Sequence, residues 1–235
     1  MTKVNRPRGT LGEASGKASG ERSGEYRAVN KGMWMTAELT ADDLKAYAST
    51  IGGLRPVPVA VTTAHGGRAN GLITLSGGPA SIIPEAPRLV VSITTYNFSH
   101  DLIRDGGVFI LHTLSNAAEL IETSLEIIRT LGGRTGRDGD KISGLRTRPG
   151  VTGAPILLDA LTYVEARVIR SLDNEENTFF VGDVVGAGRL NAGGKLDIGA
   201  AWTGLGKEWT DAYEHDHEAQ IDDSRVRRGL PTSHS

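Results

Sequence analysis

The chain has 235 residues, 38% of them hydrophobic and 23% charged, with a net charge of −2 and no cysteine. That size suits one domain, or two small ones, with a real core. The near-neutral balance gives no global electrostatic reason for a nucleic-acid or anionic-membrane partner, and the missing cysteine removes disulfides, thiolate catalysis and cysteine-based metal sites.

Residues 1–32 are rich in Gly, Ser, Lys, Arg and Glu. Such a segment cannot bury enough surface to offset its ordering entropy, so a disordered N-terminal arm is expected. The interleaved Glu13, Glu21 and Glu25 argue against a basic nucleic-acid arm, and Met33 and Met35 are alternative starts. Met1 to Gly24 hold no apolar run of the secretory kind, and no run approaches the roughly 18 residues that span a bilayer. A cytoplasmic protein is expected.

Thr40 reads as a helix N-cap, with Asp42 and Asp43 suiting the first turn. Leu44, Tyr47, Ala48 and Ile51 follow at helical spacing, and Gly52-Gly53 ends the helix. Its apolar face is expected to pack on the β-structure that follows. Val57 to Thr63 reads as a strand, His65-Gly66-Gly67 as a hairpin turn and Gly71 to Leu75 as a second strand. Ser76-Gly77-Gly78-Pro79 breaks the pattern, and Pro84 to Pro87 breaks it again. Leu89 to Thr95 is a third strand with little polar alternation, so burial on both faces is expected. Ser99 to Arg104 reads as one or two helical turns and Val108 to Thr113 as a fourth strand.

Helical spacing returns from Ser115 to Leu131, with Ser115 or Asn116 as the cap, and the polar, Gly-rich stretch from Gly132 to Gly144 reads as a surface loop. Tyr163 to Arg170 alternates as a half-exposed strand. Phe179 to Val185 is another, in which Gly182 signals a bulge or a close backbone approach. After Leu190 the chain turns polar, Trp202 and Trp209 are its remaining anchors, and fraying is expected from Ser224. No internal repeat is present. Six or more strands arranged as hairpins, with two or three helices, predict a mainly β chain: a barrel with helical decoration and no Rossmann sheet. The domain reading is an arm over 1–32, a main domain over 33–190 and a partly ordered extension over 191–235.

No dinucleotide fingerprint, P-loop or nucleophile elbow occurs, and no catalytic residue is assigned. His215-Asp216-His217 has a metal-like composition, but neighbouring histidines in a polar tail more often do nothing, so no metal site is assigned. His65 reads as a solvated turn residue and His112 as a satisfied barrel histidine. His100 lies in Asn97-Phe98-Ser99-His100 at a helix start, where free N–H groups and the helix dipole make a ready anion site. Arg104 could add charge. An equal alternative is that Ser99 simply caps the helix. Asn70, Thr74 and Ser76 read equally well as polar residues on an exposed strand face.

Six stretches, in order between Leu54 and Leu190, resemble the flavin reductase-like family with its FMN-binding split barrel. They are Arg55–Thr63, Asn70–Ser76, Ala80–Pro87, Asp140–Leu145, Thr152–Leu157 and Phe179–Val184. The resemblance implies a split β-barrel of Greek-key-like type and a homodimer with flavin in a groove near the interface. The flavin would be FMN, with FAD as the alternative. By the same resemblance Asn70, Gly71, Thr74, Leu75, Ser76 and Ser81 line the isoalloxazine and ribityl chain, and Asn97, Phe98, Ser99 and His100 form the phosphate side. The implied chemistry is hydride transfer from NAD(P)H to flavin, which needs no protein acid or base. Reduced flavin would serve a monooxygenase partner.

Two departures stand out. Members often carry an acidic-His pair before the Phe-Val-Gly strand, whereas this turn reads Asp173-Asn174-Glu175-Glu176-Asn177-Thr178. Gly77-Gly78-Pro79 stands where bulkier residues are common. Both are compatible with flavin binding and favour the alternative of an FMN-binding flavoprotein without general reductase activity. A haem or deazaflavin protein, with His112 or His100 as axial ligand, is a third alternative. The reductase reading is carried forward, with the 190–235 extension expected to cover the flavin of the other subunit.

Overall fold

The computed structural model describes residues 39–54 and 57–232. The arm expected over 1–32, the alternative starts Met33 and Met35, and Arg55-Pro56 lie outside them. The chain divides into two compact units, Met1–Leu44 and Lys45–Ser235. In the first, Thr40 N–H donates to the Asp43 carboxylate at 2.9 Å and Asp43 N–H donates back to Thr40 Oγ1 at 3.2 Å, a reciprocal cap that starts helix α1 (Ala41–Gly53). These bonds hold the Asp43 carboxyl below the usual carboxylate range. Leu44 and Tyr47 on α1 are largely exposed, contrary to the packed face expected.

The second unit carries strands β1 (Val59–His65), β2 (Arg68–Thr74), β3 (Gly77–Pro79) and β4 (Arg88–Thr94), then helix α2 (Phe98–Gly106) and strand β5 (Val108–Thr113). Helix α3 (Ile121–Gly132), the short strands β6 (Thr147–Pro149) and β7 (Pro155–Leu157), and the long strands β8 (Thr162–Asp173) and β9 (Asn177–Arg189) follow. Helices α4 (Ile198–Leu205) and α5 (Lys207–Arg227) close the order. Gly66 and Gly67, at φ 57° and 75°, make the tight β1–β2 turn that only glycine adopts without strain.

Seven strands form one antiparallel sheet in the order β2-β1-β5-β8-β9-β4-β3, and β6 pairs with β7 separately. The two edge strands, β2 and β3, are joined by only Leu75 and Ser76. A flat sheet of this order would hold its edges about 29 Å apart, and the link reaches roughly 11 Å at most. The sheet therefore curls until its edges meet without pairing: a split barrel. Register shifts in the β8–β9 ladder, at Glu165/Ala166 and Val168/Arg170, supply part of the curl. Gly182 sits where a Cβ would come within 2.9 Å of the Ala166 Cβ, which is the close approach its position predicts.

Inside the curl, Val61, Leu72, Val91, Ile93, Phe109 and Phe180 pack together, and Ile103 of α2 plugs the end. Outside it, α3 and α4 cover Ala60 of β1 with Leu125, Ile128, Leu131 and Leu205, and β7 packs Ile156 on Ile110. The strand buried on both faces is thus β1, whose first five residues are all buried, whereas β4 alternates. That corrects the expectation for Leu89 to Thr95: the helices cover β1, whereas among the described residues Val90, Ser92 and Thr94 on the other face of β4 are only part-buried.

Four local readings also change. Gly77-Gly78-Pro79, read as a break, is strand β3, paired to β4. Helix α3 starts at Ile121, because Ser115 and Asn116 bind the Ala192–Gly194 segment through the Ser115 hydroxyl and the Asn116 carbonyl. Ser99 is not the cap of α2, which starts after Asn97 without a side-chain cap. The tail is helical to Arg227, past the fraying expected from Ser224.

Candidate functional site

Asn70 on β2 is 2% exposed. Its Nδ2 donates to Ser99 Oγ in the first turn of α2 at 2.9 Å, while Oδ1 meets no protein partner. A buried carbonyl oxygen left in this state is costly, on the order of 1–3 kcal/mol, unless something else donates to it. Asn70 is one of the residues lining a cavity of about 480 Å³ bounded by β2, the Tyr96–Phe98 entry to α2, the Leu131–Lys141 stretch and one face of α5.

The loop after α3 was expected to lie on the surface, yet Gly136, Lys141 and Ile142 are buried. A Cβ on Gly136 would collide with the Asn70 amide, so glycine lets the loop close against β2. Lys141 Nζ donates to Leu131 O at 2.8 Å and to Arg134 O at 2.7 Å, occupying the carbonyl end of α3. Burial, with the nearby Arg134 charge, pushes its ammonium down to about 8. The Arg68 and Arg137 guanidinium carbons lie 4.4 and 5.4 Å from the Phe98 ring centroid, and Arg68 also reaches Gly136 O at 3.3 Å.

Of the residues assigned by resemblance, Asn70, Asn97 and Phe98 line this cavity, and Ser99 stands behind Asn70. Gly71 lies beneath, with space for a Cβ closed by Leu131 and Val61 O. Thr74, Leu75 and Ser76 form the barrel seam, where Thr74 Oγ1 accepts from Ser76 N–H, and Ser81 accepts from Ile83 N–H in the β3–β4 loop; none of the four lines the cavity. Asn97 turns back to donate to Thr94 Oγ1 at 2.5 Å. His100 faces a second cavity of about 440 Å³, with Nε2 at 2.9 Å from Thr178 Oγ1 and its ring 5.6 Å from that of Phe180.

His112 is fully buried. Its Nε2 accepts from Leu157 N–H at 3.1 Å and its Nδ1 lies 3.3 Å from Ala60 O, and burial pushes its imidazolium down to about 4. With both nitrogens engaged it has no atom left for a haem iron. Sequence reasoning missed the 132–141 loop and α5. The spacing of Tyr213, Asp216 and Gln220, one face of a helix, was the available signal for the latter. Among the described residues no helix is long and apolar enough to cross a membrane, and no group of three His, Cys, Asp or Glu side chains is placed to hold a metal ion.

A curled antiparallel sheet whose edges meet without pairing, decorated by helices, is the split-barrel fold. The chain belongs to the flavin reductase like domain family, whose model matches residues 53–197. It is 30% identical over 134 residues to the high molecular weight rubredoxin of Moorella thermoacetica, covering 57% of this chain and 56% of that one. It is 29% identical over 133 residues to the ferric-chelate reductase (NAD(P)H) of Archaeoglobus fulgidus, covering 54% and 72%. The crystal structure of the FMN-binding protein of Thermus thermophilus with bound p-hydroxybenzaldehyde aligns with a TM-score of 0.51 and 25% identity, over 57% of this chain and 71% of that one. The chain spans little more than half the length of the rubredoxin it matches.

The residues present fit a flavin. The cavity volume lies within the range of ligand pockets, roughly 300–1,000 Å³. The buried acceptor of Asn70, a helix start without a side-chain cap and the neighbouring Arg134 suit a ring with an N–H edge and an anionic tail, while Asp138, Asp140 and Asp216 line the same cavity.

Proposed function

We propose that this protein is an NAD(P)H-dependent flavin reductase that binds FMN in the cavity beside Asn70. The observation that carries the reading is the cavity lined by Asn70, whose Oδ1 is buried without a protein partner, and by Asn97 and Phe98 at the start of α2. Membership of the family supports the flavin, and the similarity to a ferric-chelate reductase (NAD(P)H) supports a nicotinamide electron source. The bound flavin supplies the hydride-accepting chemistry. The chain supplies the rest. Asn70 would hold the ring edge, and the start of α2 with Asn97 and Arg134 would hold the phosphate, with the Gly132–Lys141 loop beside them. Thr74, Leu75, Ser76 and Ser81 serve the barrel seam in this reading.

The test is nicotinamide oxidation by the full chain at catalytic concentration with FMN present. Consumption of NADH or NADPH in proportion to protein is expected. No consumption with either nucleotide overturns the reductase reading, and FMN bound without consumption selects an FMN-binding protein instead. That second reading is favoured by the histidine-free turn Asp173–Thr178, and Tyr213, Asp216 and Gln220 of α5 line the same cavity.

A homodimer belongs to the same proposal. Leu172 and Phe179 face each other across β8 and β9, 54% and 36% exposed, with Ile169 and Val185 exposed on the same two strands. Such an apolar surface on a sheet suits a second copy. Light scattering should give twice the chain mass, and a monomer at micromolar concentration would refute it.

A further inference from the structure

The family match ends at residue 197, and α4 and α5 lie beyond it. Helix α5 has 21 residues and none of them is buried, yet Tyr213, Asp216 and Gln220 line the candidate cavity. The extension expected at the other subunit thus lines the cavity of its own chain. Trp209, Tyr213 and His217 recur every four residues and share one face of α5. The Trp209 indole packs on Gly132 and Gly133 and, with Trp202 of α4, against the core cluster of Leu125, Leu131 and Leu205. The half-buried Tyr213 ring lies near-parallel to Trp209, one turn earlier, with centroids 5.2 Å apart and planes at 16°. It lies near-parallel to His217, one turn later, at 6.3 Å and 11°, and Trp202 meets it edge-on at 5.7 Å. Aromatic neighbours therefore flank the ring, while among the described residues its hydroxyl has no hydrogen-bond partner. A phenol withdrawn from water ordinarily finds one.

We infer that Tyr213 is a ligand-binding residue of this cavity, whose hydroxyl donates a hydrogen bond to a ring oxygen or ring nitrogen of the bound flavin. This rests on the flavin reading above and adds a contact from outside the family match. Two features support it besides the unpartnered hydroxyl. The first is position: Tyr213 shares the cavity lining with Asn70, Leu72, Ile73 and Leu131, and its Trp209 neighbour is anchored on the core rather than on the exposed helix alone. The second is chemistry. Burial raises the phenol above its ordinary pKa, so at neutral pH it is an uncharged O–H donor. An uncharged donor suits a neutral ring atom, whereas an anionic tail is better matched by a guanidinium such as that of Arg134. A flavin ring carries both an N–H and carbonyl oxygens, and Asn70 Oδ1 and the Tyr213 hydroxyl offer one acceptor and one donor.

The experiment titrates FMN into the full chain, wild type and Tyr213→Phe, and records both the dissociation constant and the visible absorption band of the bound flavin. The variant keeps the ring and its aromatic neighbours and removes one oxygen, and an unchanged urea midpoint without ligand verifies that the fold is intact. Tyr213→Phe should raise the dissociation constant about three- to tenfold, the worth of one net hydrogen bond. It should also shift the bound flavin's visible band, which responds to hydrogen bonds at the ring and not to contacts at the phosphate. An unchanged dissociation constant, or a weaker affinity with an unmoved band, would overturn the Tyr213 inference and leave the flavin reading standing. A wild-type chain that binds no FMN would overturn the flavin reading and the Tyr213 inference together.

Discussion

Lys141 holds an ammonium group at the cavity floor, 6% exposed, with two backbone carbonyls as its hydrogen-bond partners. In the unfolded chain it titrates near 10.5, and in the folded chain burial and Arg134 bring it to about 8. Between these values the unfolded chain keeps a proton that the folded chain has lost, so stability rises with pH across that window. Below it both states are protonated, and folding carries the whole cost of burying the charge. The gap corresponds to roughly 3 kcal/mol over the full window, of which about 2 kcal/mol falls between pH 7.5 and 9.5. Lys141→Met removes the titration. Urea unfolding of both proteins, ligand-free and at fixed ionic strength, gives a difference curve that isolates this group from the tyrosines. Wild type should gain about 2 kcal/mol on the variant between those pH values. A difference that stays flat would show that Lys141 titrates near its ordinary value and that the cavity floor is wet.

Asn70→Ala should weaken FMN binding about tenfold, the worth of one net hydrogen bond, and an unchanged dissociation constant would remove Asn70 from the site. Gly136→Val should do more, because its side chain takes the space of the Asn70 amide, and overpacking should also lower stability by about 1–3 kcal/mol in a denaturant melt. His112 is depressed from 6.5 to about 4, so its contribution is present above pH 6.5 and is lost as pH falls through 4. Wild type should therefore lose roughly 3 kcal/mol over that range that His112→Leu does not lose; at neutral pH that variant should cost about 1–3 kcal/mol by orphaning Leu157 N–H.

The barrel was legible where local chemistry and tertiary use agree. His65-Gly66-Gly67 turns a hairpin because two glycines accept positive φ, and Val59 to Thr63 is rich in β-branched residues and buried. The misreadings occur where a side chain is used at long range. Ser99 reads as a cap and instead accepts a hydrogen bond from Asn70. Ser115 and Asn116 read as caps and instead hold a segment nearly eighty residues away. Gly77-Gly78-Pro79 reads as a break because nothing local shows that its partner, β4, awaits it. Of the residues lining the candidate cavity, Asn70, Asn97 and Phe98 are also those the resemblance points to. Helix α5 was not, since a helix with no buried residue has no apolar stripe to find, and its 3- and 4-spaced ion pairs, Lys207–Asp211, Arg225–Asp222 and Arg227–Asp223, look like any solvated tail.

The most direct test of the central claim is a visible spectrum of the purified chain with one equivalent of FMN, followed by anaerobic NADH and then NADPH. A shifted, protein-bound flavin spectrum that bleaches on adding one of the nucleotides is the predicted result. A spectrum identical to free FMN would contradict the cavity assignment at Asn70, and bound flavin that neither nucleotide bleaches would contradict the reductase.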